Sequence, residues 1–469
     1  MGDVTVGIDI GTTATKAVAA DGDGTVVAAA RARHGVVVGP GRLEHDAALA
    51  WHREVTDAFH EVAAGNTVHG VAVAAMVPSL TAVDAAGCPC GPGLLYGDAR
   101  GDGTPGESPA SSGEAVGFLR WLAVHAPDAG GFWPAQAVAN HALCGRAAVD
   151  YATAFCAAPL FDGTGWDVDV VRAAGVRTDQ LPEVVTDLGP IGRVGQDGPV
   201  VGAGTIDALA AQLVAGAEEP GDVLVVLGAT LIAWLVVPDW VERPGLWTVP
   251  HTAPGLCLVG GASNAGGLFV DWARSVVADA EPVAEPGAGR GRLDPHDVPC
   301  WLPYVRGERT PLHRADLRAE LSGLHLGHGP SAVHRATYEA PGFVVRRFLD
   351  LAGGSSPARR IRAVGGGTRS TAWMEALADV TGLPVEVAAE PDATALGTAF
   401  LARCAAGLEA DPTDARRWAR TGATVDPDPA WAAACDERYQ QFVVRTAAAT
   451  AQRNVVAERL LGLPRDANF

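Results

Sequence analysis

The residues Asp9-Ile10-Gly11-Thr12-Thr13-Ala14-Thr15-Lys16 have the types needed to hold a polyphosphate. Gly11 lets backbone N–H groups approach a phosphate closely. The hydroxyls of Thr12 and Thr13 add donors, and Lys16 adds a point charge. Asp9, ending a β-branched run, suits Mg²⁺, which keeps most of its waters and takes one or two carboxylates. Two more turns have related chemistry. Gly228-Ala229-Thr230 interrupts two apolar runs, and Gly365-Gly366-Gly367-Thr368-Arg369-Ser370 follows the apolar run Ile361 to Val364. The glycines of the last turn allow a flat base to lie against the backbone. Taken singly, each of the three also fits an ordinary turn.

Phosphoryl transfer to an alcohol needs a carboxylate that accepts the hydroxyl proton. Asp207, in Ala203-Gly204-Thr205-Ile206-Asp207-Ala208, opens an apolar helical stretch and has that chemistry. The same placement fits a helix N-cap. In Tyr96-Gly97-Asp98-Ala99-Arg100, a carboxylate and a guanidinium stand two residues apart. Such a pair can bind polyol hydroxyls or form a surface salt bridge.

The elements carrying these residues follow from periodicity and turn signals. Val4 to Ile10, Lys16 to Ala20 and Thr25 to Ala30 read as a meander of strands, unlike a dinucleotide fold, whose first glycine turn opens a helix. Asp46 caps a helix from Ala47 to Val62. Strands are expected at Val68–Ala75 and Leu80–Asp84, and helix dominates from Glu114 to about Ala158. After Glu218-Glu219-Pro220-Gly221-Asp222 the pattern restarts, with strands at Val223–Leu227 and Leu231–Val237 around the second glycine turn. Two halves opening on the same strand–turn–strand device indicate a duplicated core. The division is 1–217 and 222–469. A helix, Ala372 to Val380, follows the third turn. Ala280 to Gly291 reads as a surface loop, and the tail from Trp431 as helix.

Bulk properties set limits. A chain of 469 residues suits two large domains, and 48% hydrophobic with 19% charged residues suits well-packed cores. The net charge of -19 repels nucleic acid and anionic lipid, so neither is an expected partner. Lys16 is the only lysine. The eight cysteines lack CxxC spacing and read as scattered thiols, not a zinc site. With no signal sequence and no apolar run of membrane length, a cytoplasmic protein is expected.

Six stretches occur together in an order that resembles the FGGY carbohydrate kinases: VGIDIGTTATKAV, LLYGDAR, AGTIDALAAQLVAGAEEPGD, VLGAT, PYVRGERTP and VGGGTRSTAWMEALADVTGLPVEV. The resemblance spans Val4 to Arg403. It implies two ribonuclease-H-like α/β lobes of the actin-like ATPase kind with a cleft between them, ATP and Mg²⁺ as cofactors, a small sugar or polyol as partner, and a homodimer as the usual assembly. Asp207 would be the catalytic base and Asp9 the metal residue. Gly11, Thr12, Thr13, Lys16, Gly228, Thr230, Gly366, Gly367 and Ser370 would bind ATP, and Asp98 and Arg100 the substrate. Met76 and Pro78 fall where xylulokinase-like members place Gln-Met-His-Gly beside the sugar; here the stretch is Met76-Val77-Pro78-Ser79. Trp-Asn-Asp becomes Tyr96-Gly97-Asp98, the Asn after the base becomes Ala208, and two glycines before it become Thr205-Ile206. Gly-Thr-Ser becomes Gly228-Ala229-Thr230. The ATP side is kept and the substrate side is altered. Expected activity is therefore phosphorylation of a hydroxyl on a sugar, sugar acid or polyol; an actin- or chaperone-like ATPase and a metabolite-binding pseudokinase are the alternatives.

Overall fold

The computed structural model describes residues 3–39, 41–101, 113–277, 290, 293–354 and 356–461, with side chains to 451. The expected loop Ala280 to Gly291 lies outside these residues, apart from Arg290.

Val4, Val6, Ile8 and Ile10 are all fully buried, and they make Asp3–Ile10 (β1) the spine of the first sheet. Ala14–Ala20 (β2) pairs with it antiparallel, placing Asp9 opposite Lys16, and Val26–Arg33 (β3) pairs with β2. Thr67–Ala75 lies on the other side of β1, parallel to it. The sheet is completed by Val200–Gly202 and Pro190–Arg193, with the two-residue strand Thr205–Ile206 pairing to Ala74 and Ala75. The second sheet repeats this plan. Asp222–Leu227 pairs antiparallel with Leu231–Val237 and parallel with Arg360–Val364, and Cys257–Ser263 and Val385–Ala388 take the next places. Each sheet has seven strands, and in each three adjacent antiparallel strands are followed by two that join in parallel, with an antiparallel strand at that edge. The duplication and the ribonuclease-H-like order agree with the sequence reading.

A smaller five-stranded sheet, Val37–Gly39, Arg42–His45, Gly93–Leu95, Ser79–Val83 and Gly131–Trp133, is added to the first lobe. It corrects one expectation. The stretch from Glu114 to Ala158 is helical at Glu114–His125, Ala135–Cys144 and Tyr151–Phe155, but strands Gly131–Trp133 and Ala148–Asp150 interrupt it. Asp46 does accept the Leu49 N–H at 3.1 Å, and the helix it caps starts with a π-helical segment, Ala48–Arg53, before Glu54–Ala63. The tail is helical from Pro429 to Leu461. Among the described residues no helix is long and apolar enough to cross a membrane.

Between the sheets lie two apolar helices, Asp207–Ala215 and Ala393–Ala405. Their buried alanines and leucines share one cluster with Val18 and Ala72 of the first sheet and Leu224, Trp234 and Val236 of the second. Helix Ala393–Ala405 comes late in the chain, yet it lies on β1, where Thr5 donates its hydroxyl to the Ala399 carbonyl at 2.8 Å. Glycines permit the approach. A Cβ on Gly7 would lie 1.9 Å from the Ala395 oxygen, and one on Gly397 would lie 1.8 Å from the Ala210 oxygen.

The contact is testable. Gly397→Ala should gain about 1 kcal/mol of helix propensity, yet its methyl group must push two helix backbones apart. A net loss of at least ~2 kcal/mol is expected from equilibrium urea unfolding. Gly35→Ala, where a Cβ meets nothing within 4 Å, should stay within about 0.5 kcal/mol of the parent.

Candidate active site

The turn after β1 is held from behind by two histidines. His45 Nε2 donates to the Thr12 carbonyl at 2.7 Å, while its Nδ1 accepts the Trp51 indole N–H at 2.9 Å. Burial pushes His45 down to about 4, so it stays neutral and this tautomer persists. His34 sits between the Glu54 carboxylate, at 2.7 Å, and the Gly11 carbonyl, at 3.0 Å. With its carbonyls occupied on one side, the turn is fixed for contacts on the other. The Thr12 hydroxyl pairs with the Tyr96 hydroxyl, and Thr13 is exposed.

Lys16 bridges two carboxylates, Asp9 at 3.3 Å and Asp392 at 3.2 Å. Burial opposes its charge, but the two aspartates outweigh burial and hold its pKa above the usual lysine value. Burial pushes Asp9 up, against the pull of Lys16. Asp207 lies near enough to Asp9 to feel its charge. It is pushed up to about 7, first by its enclosure and then by Asp9, while the Ala208 N–H and the charges of Arg309 and Lys16 pull the other way. Part of its side chain remains open to the cleft. Asp207 is the first helical residue and not the cap; Ile206 takes the cap position. Its carboxylate accepts the N–H of Ala208 at 2.7 Å. The strand before it is anchored by Thr205, whose hydroxyl donates to half-buried Asp150 at 2.8 Å, and by Gln136 and Asn140, which both donate to the Ala203 carbonyl at 3.0 Å.

Asp207 opens onto a cavity between the lobes. Met76, Pro78, Tyr96, Cys156 and Ile206 line it from the first lobe, and Thr230, Ile232, Trp234, Trp247 and Arg309 from the second. The second glycine turn reaches this space through Thr230, and the first touches its lining where the Thr12 hydroxyl pairs with the Tyr96 hydroxyl. The turn is closed by the Gly228 N–H donating to the Thr230 carbonyl at 3.0 Å. The carbonyls of Gly228 and Ala229 accept the N–H groups of Gly267 and Leu268 where the next helix begins. The third turn lies behind it: a Cβ on Gly367 would meet the Leu227 side chain at 2.8 Å. Gly366–Arg369 forms a 3₁₀ turn, and Ser370 caps the following helix by accepting the Trp373 N–H at 3.3 Å.

Asp98 and Arg100 require a correction. They do not line this cavity. Asp98 is buried, and its oxygens already accept the N–H of Leu43 at 2.7 Å, the N–H of Arg100 at 3.0 Å and the Arg100 guanidinium at 2.8 and 2.6 Å. Burial alone would raise its pKa, but these bonds outweigh burial and hold it below the usual carboxylate range. Arg100 also pairs with Glu44 and stacks over Trp121 at 4.8 Å. The group is a clamp that ties the turn after Gly93–Leu95 to the strand Arg42–His45 of the small sheet.

The structure adds residues that sequence spacing did not single out. Asp392 could be read as a helix start, but its pairing with Lys16 depends on the packing of Ala393–Ala405. Arg309 stands 4.7 Å over the Tyr96 ring and 5.7 Å from that of Trp247. Glu308 fixes the Arg309 loop by accepting from Ser263 Oγ at 2.6 Å, from the Asn264 N–H at 3.0 Å and from the Arg309 N–H at 2.7 Å. Burial pushes Glu308 up to about 7.

Residues 223–406 match the FGGY family of carbohydrate kinases, C-terminal domain. A xylulose kinase from Streptomyces rubiginosus is 28% identical over 466 residues, covering 89% of this chain and 91% of that one. A gluconokinase from Bacillus subtilis is 26% identical over 292 residues, 55% of each chain. Among solved structures, a xyloylose kinase from Brucella ovis superposes with a TM-score of 0.81 at 23% identity, covering 96% of this chain and 100% of that one; this likeness concerns the fold, the two-lobed actin-like ATPase architecture.

The clamp gives a prediction. Asp98→Ala leaves the Arg100 guanidinium and the Leu43 N–H without their buried partner, and should cost on the order of 3 kcal/mol in urea unfolding. In the folded fraction, the Michaelis constants for nucleotide and acceptor should stay near those of the parent. A large rise in the acceptor constant alone would return Asp98 to the substrate site.

Proposed function

We propose that the chain is a carbohydrate kinase of the FGGY type, taking its phosphoryl group from ATP, and that Asp207 is the general base for phosphorylation of one hydroxyl of a sugar-like alcohol bound in the interlobe cavity. The observation that carries this reading is Asp207 itself: a carboxylate pushed up to about 7 and partly open to a cavity that it lines together with Tyr96, whose hydroxyl pairs with Thr12 of the Gly11–Lys16 turn. A base poised near neutral pH can take a proton as the acceptor oxygen attacks and hold it as charge develops.

The balance is simple. The acceptor oxygen forms a bond to the γ-phosphorus, the bond from that phosphorus to the ADP oxygen breaks, and the hydroxyl proton passes to Asp207. Gly11, Thr12, Thr13 and Lys16 on one lobe and Gly228 and Thr230 on the other supply donors to the phosphates from two sides. Gly366, Gly367 and Ser370 form the neighbouring surface for the adenosine. The donor set around Asp9 fits a hard divalent cation: all its groups are oxygens, and Asp9, Asp207 and Asp392 bring more negative charge than Lys16 balances. Asp9 would hold Mg²⁺, which would offset phosphate charge. The Arg309 guanidinium, held flat over Tyr96, provides a fixed positive charge at the same place.

Two measurements test the reading. Asp207→Asn should lower kcat by about 10²–10⁴-fold with ATP affinity little changed; ADP release that persists without any acceptor would favour the actin-like ATPase alternative. The pH dependence has a definite sign. Asp207 works only when deprotonated, so kcat/KM for the acceptor should fall about tenfold per pH unit as pH drops below about 7 and level off above it. In Asp207→Asn that acid limb should vanish.

A further inference from the structure

The wall around Asp207 is unlike a surface made to grip many hydroxyls. Met76, Val77, Pro78, Ile206, Ile232 and Val249 are all apolar, and with the alanines and leucine beside them they make up most of the lining. Cys156 belongs with them, because burial, and after it the charges of Asp150 and Asp207, push its thiol up to about 12 and keep it neutral. Polar groups are few. Asp207 is reserved for the reacting hydroxyl, and the Tyr96 hydroxyl is paired with Thr12. What remains is Thr230, Arg309 and the indole N–H groups of Trp247 and Trp234, of which that of Trp234 is buried and has no hydrogen-bond partner among the described residues. Asp98 and Arg100, which could have supplied further contacts, are committed to Leu43 and Glu44. A second apolar chamber, lined by Leu80, Leu119, Phe132, Leu160 and Trp166, shares Val77, Pro78 and Cys156 as a common wall.

A fully hydroxylated open-chain sugar would lose water from each hydroxyl here and find few partners. Each such loss costs about tenfold or more in affinity. An alcohol whose other carbons bear hydrogen or methyl groups would lose no hydrogen bonds and would cover the apolar wall.

We propose that the acceptor is a sparsely hydroxylated, sugar-like alcohol with a broad apolar face, such as a deoxy, C-methyl or carbocyclic compound, that also carries one oxygen able to accept the Trp234 N–H. The proposal rests on the kinase reading of Asp207.

The test uses the full chain with Mg-ATP and matched pairs that differ in one or more hydroxyls: D-xylulose against 1-deoxy-D-xylulose, a hexose against its 6-deoxy form, and inositol against cyclohexane-1,2-diol. Turnover is read as ADP release, and binding separately as the change in intrinsic tryptophan fluorescence, since Trp234 and Trp247 line the cavity. The less hydroxylated member should bind and react about tenfold or more better. Equal values within pairs, preference for the fully hydroxylated member, or failure of both members to bind would overturn the proposal. Tight binding of the less hydroxylated member without turnover would uphold the apolar preference and overturn the kinase reading, so the two failures are distinct. In Trp234→Phe, affinity for the preferred acceptor should fall about tenfold, with ATP affinity unchanged. Unchanged acceptor affinity would remove the Trp234 hydrogen bond from the proposal.

Discussion

Helix Ala393–Ala405 lies so close to β1 and to helix Asp207–Ala215 that at Gly7 and Gly397 there is no room for a single methyl group. Much else follows from this contact. It brings Asp392, at the start of the late helix, to Lys16 on an early strand. It sets the helix that begins at Asp207 against the same layer, so that the carboxylate emerges beside Asp9. It also joins the apolar faces of both sheets in one cluster, with Val18 and Ala72 on one side and Leu224 and Trp234 on the other. Each lobe also has a core of its own, but the site lies where the shared layer reaches the cleft.

At that place the chain concentrates charge that it does not fully neutralise. Asp9 and Asp392 share Lys16, and Asp207 stands close by with Arg309 as its nearest arginine influence. Burying carboxylates in excess of cations destabilises the charged state, which is why Asp9 and Asp207 both have raised pKa values. Such an arrangement favours whatever brings compensating positive charge, and a divalent cation does so. The strain on Asp207 is also useful in itself, since a carboxylate of ordinary pKa is a weaker base at neutral pH.

The two sides of the cleft are built differently. On the side proposed for the nucleotide, the donors are backbone groups, and the turn that carries them is held by second contacts such as those of His34 and His45 on the Gly11 and Thr12 carbonyls. On the acceptor side, the walls are side chains from both lobes, and those side chains are mostly apolar. Changes there alter what is bound without disturbing the phosphate turns. This division lets one fold keep its phosphoryl chemistry while its acceptor changes.

The sequence alone determined the features that depend on neighbouring residues. The strand Val223–Leu227, its Gly228–Thr230 turn and the strand Leu231–Val237 were legible because alternating burial and glycine turns are local signals. So was the restart of the pattern that marks two lobes, and so were Asp9, Lys16 and Asp207 as groups with the right chemistry. Tertiary structure decided what those groups face. Asp98 and Arg100 read equally well as a hydroxyl-binding pair or a salt bridge, because two residues of spacing say nothing of Leu43 and Glu44, which occupy them. The strands between Glu114 and Ala158 were missed because each is three residues long and is stabilised by a partner elsewhere. Asp392, Trp234 and Arg309 joined the site only through packing across the two sheets. Their place depends on close contact between helices and strands far apart in the chain, and no local pattern records that contact.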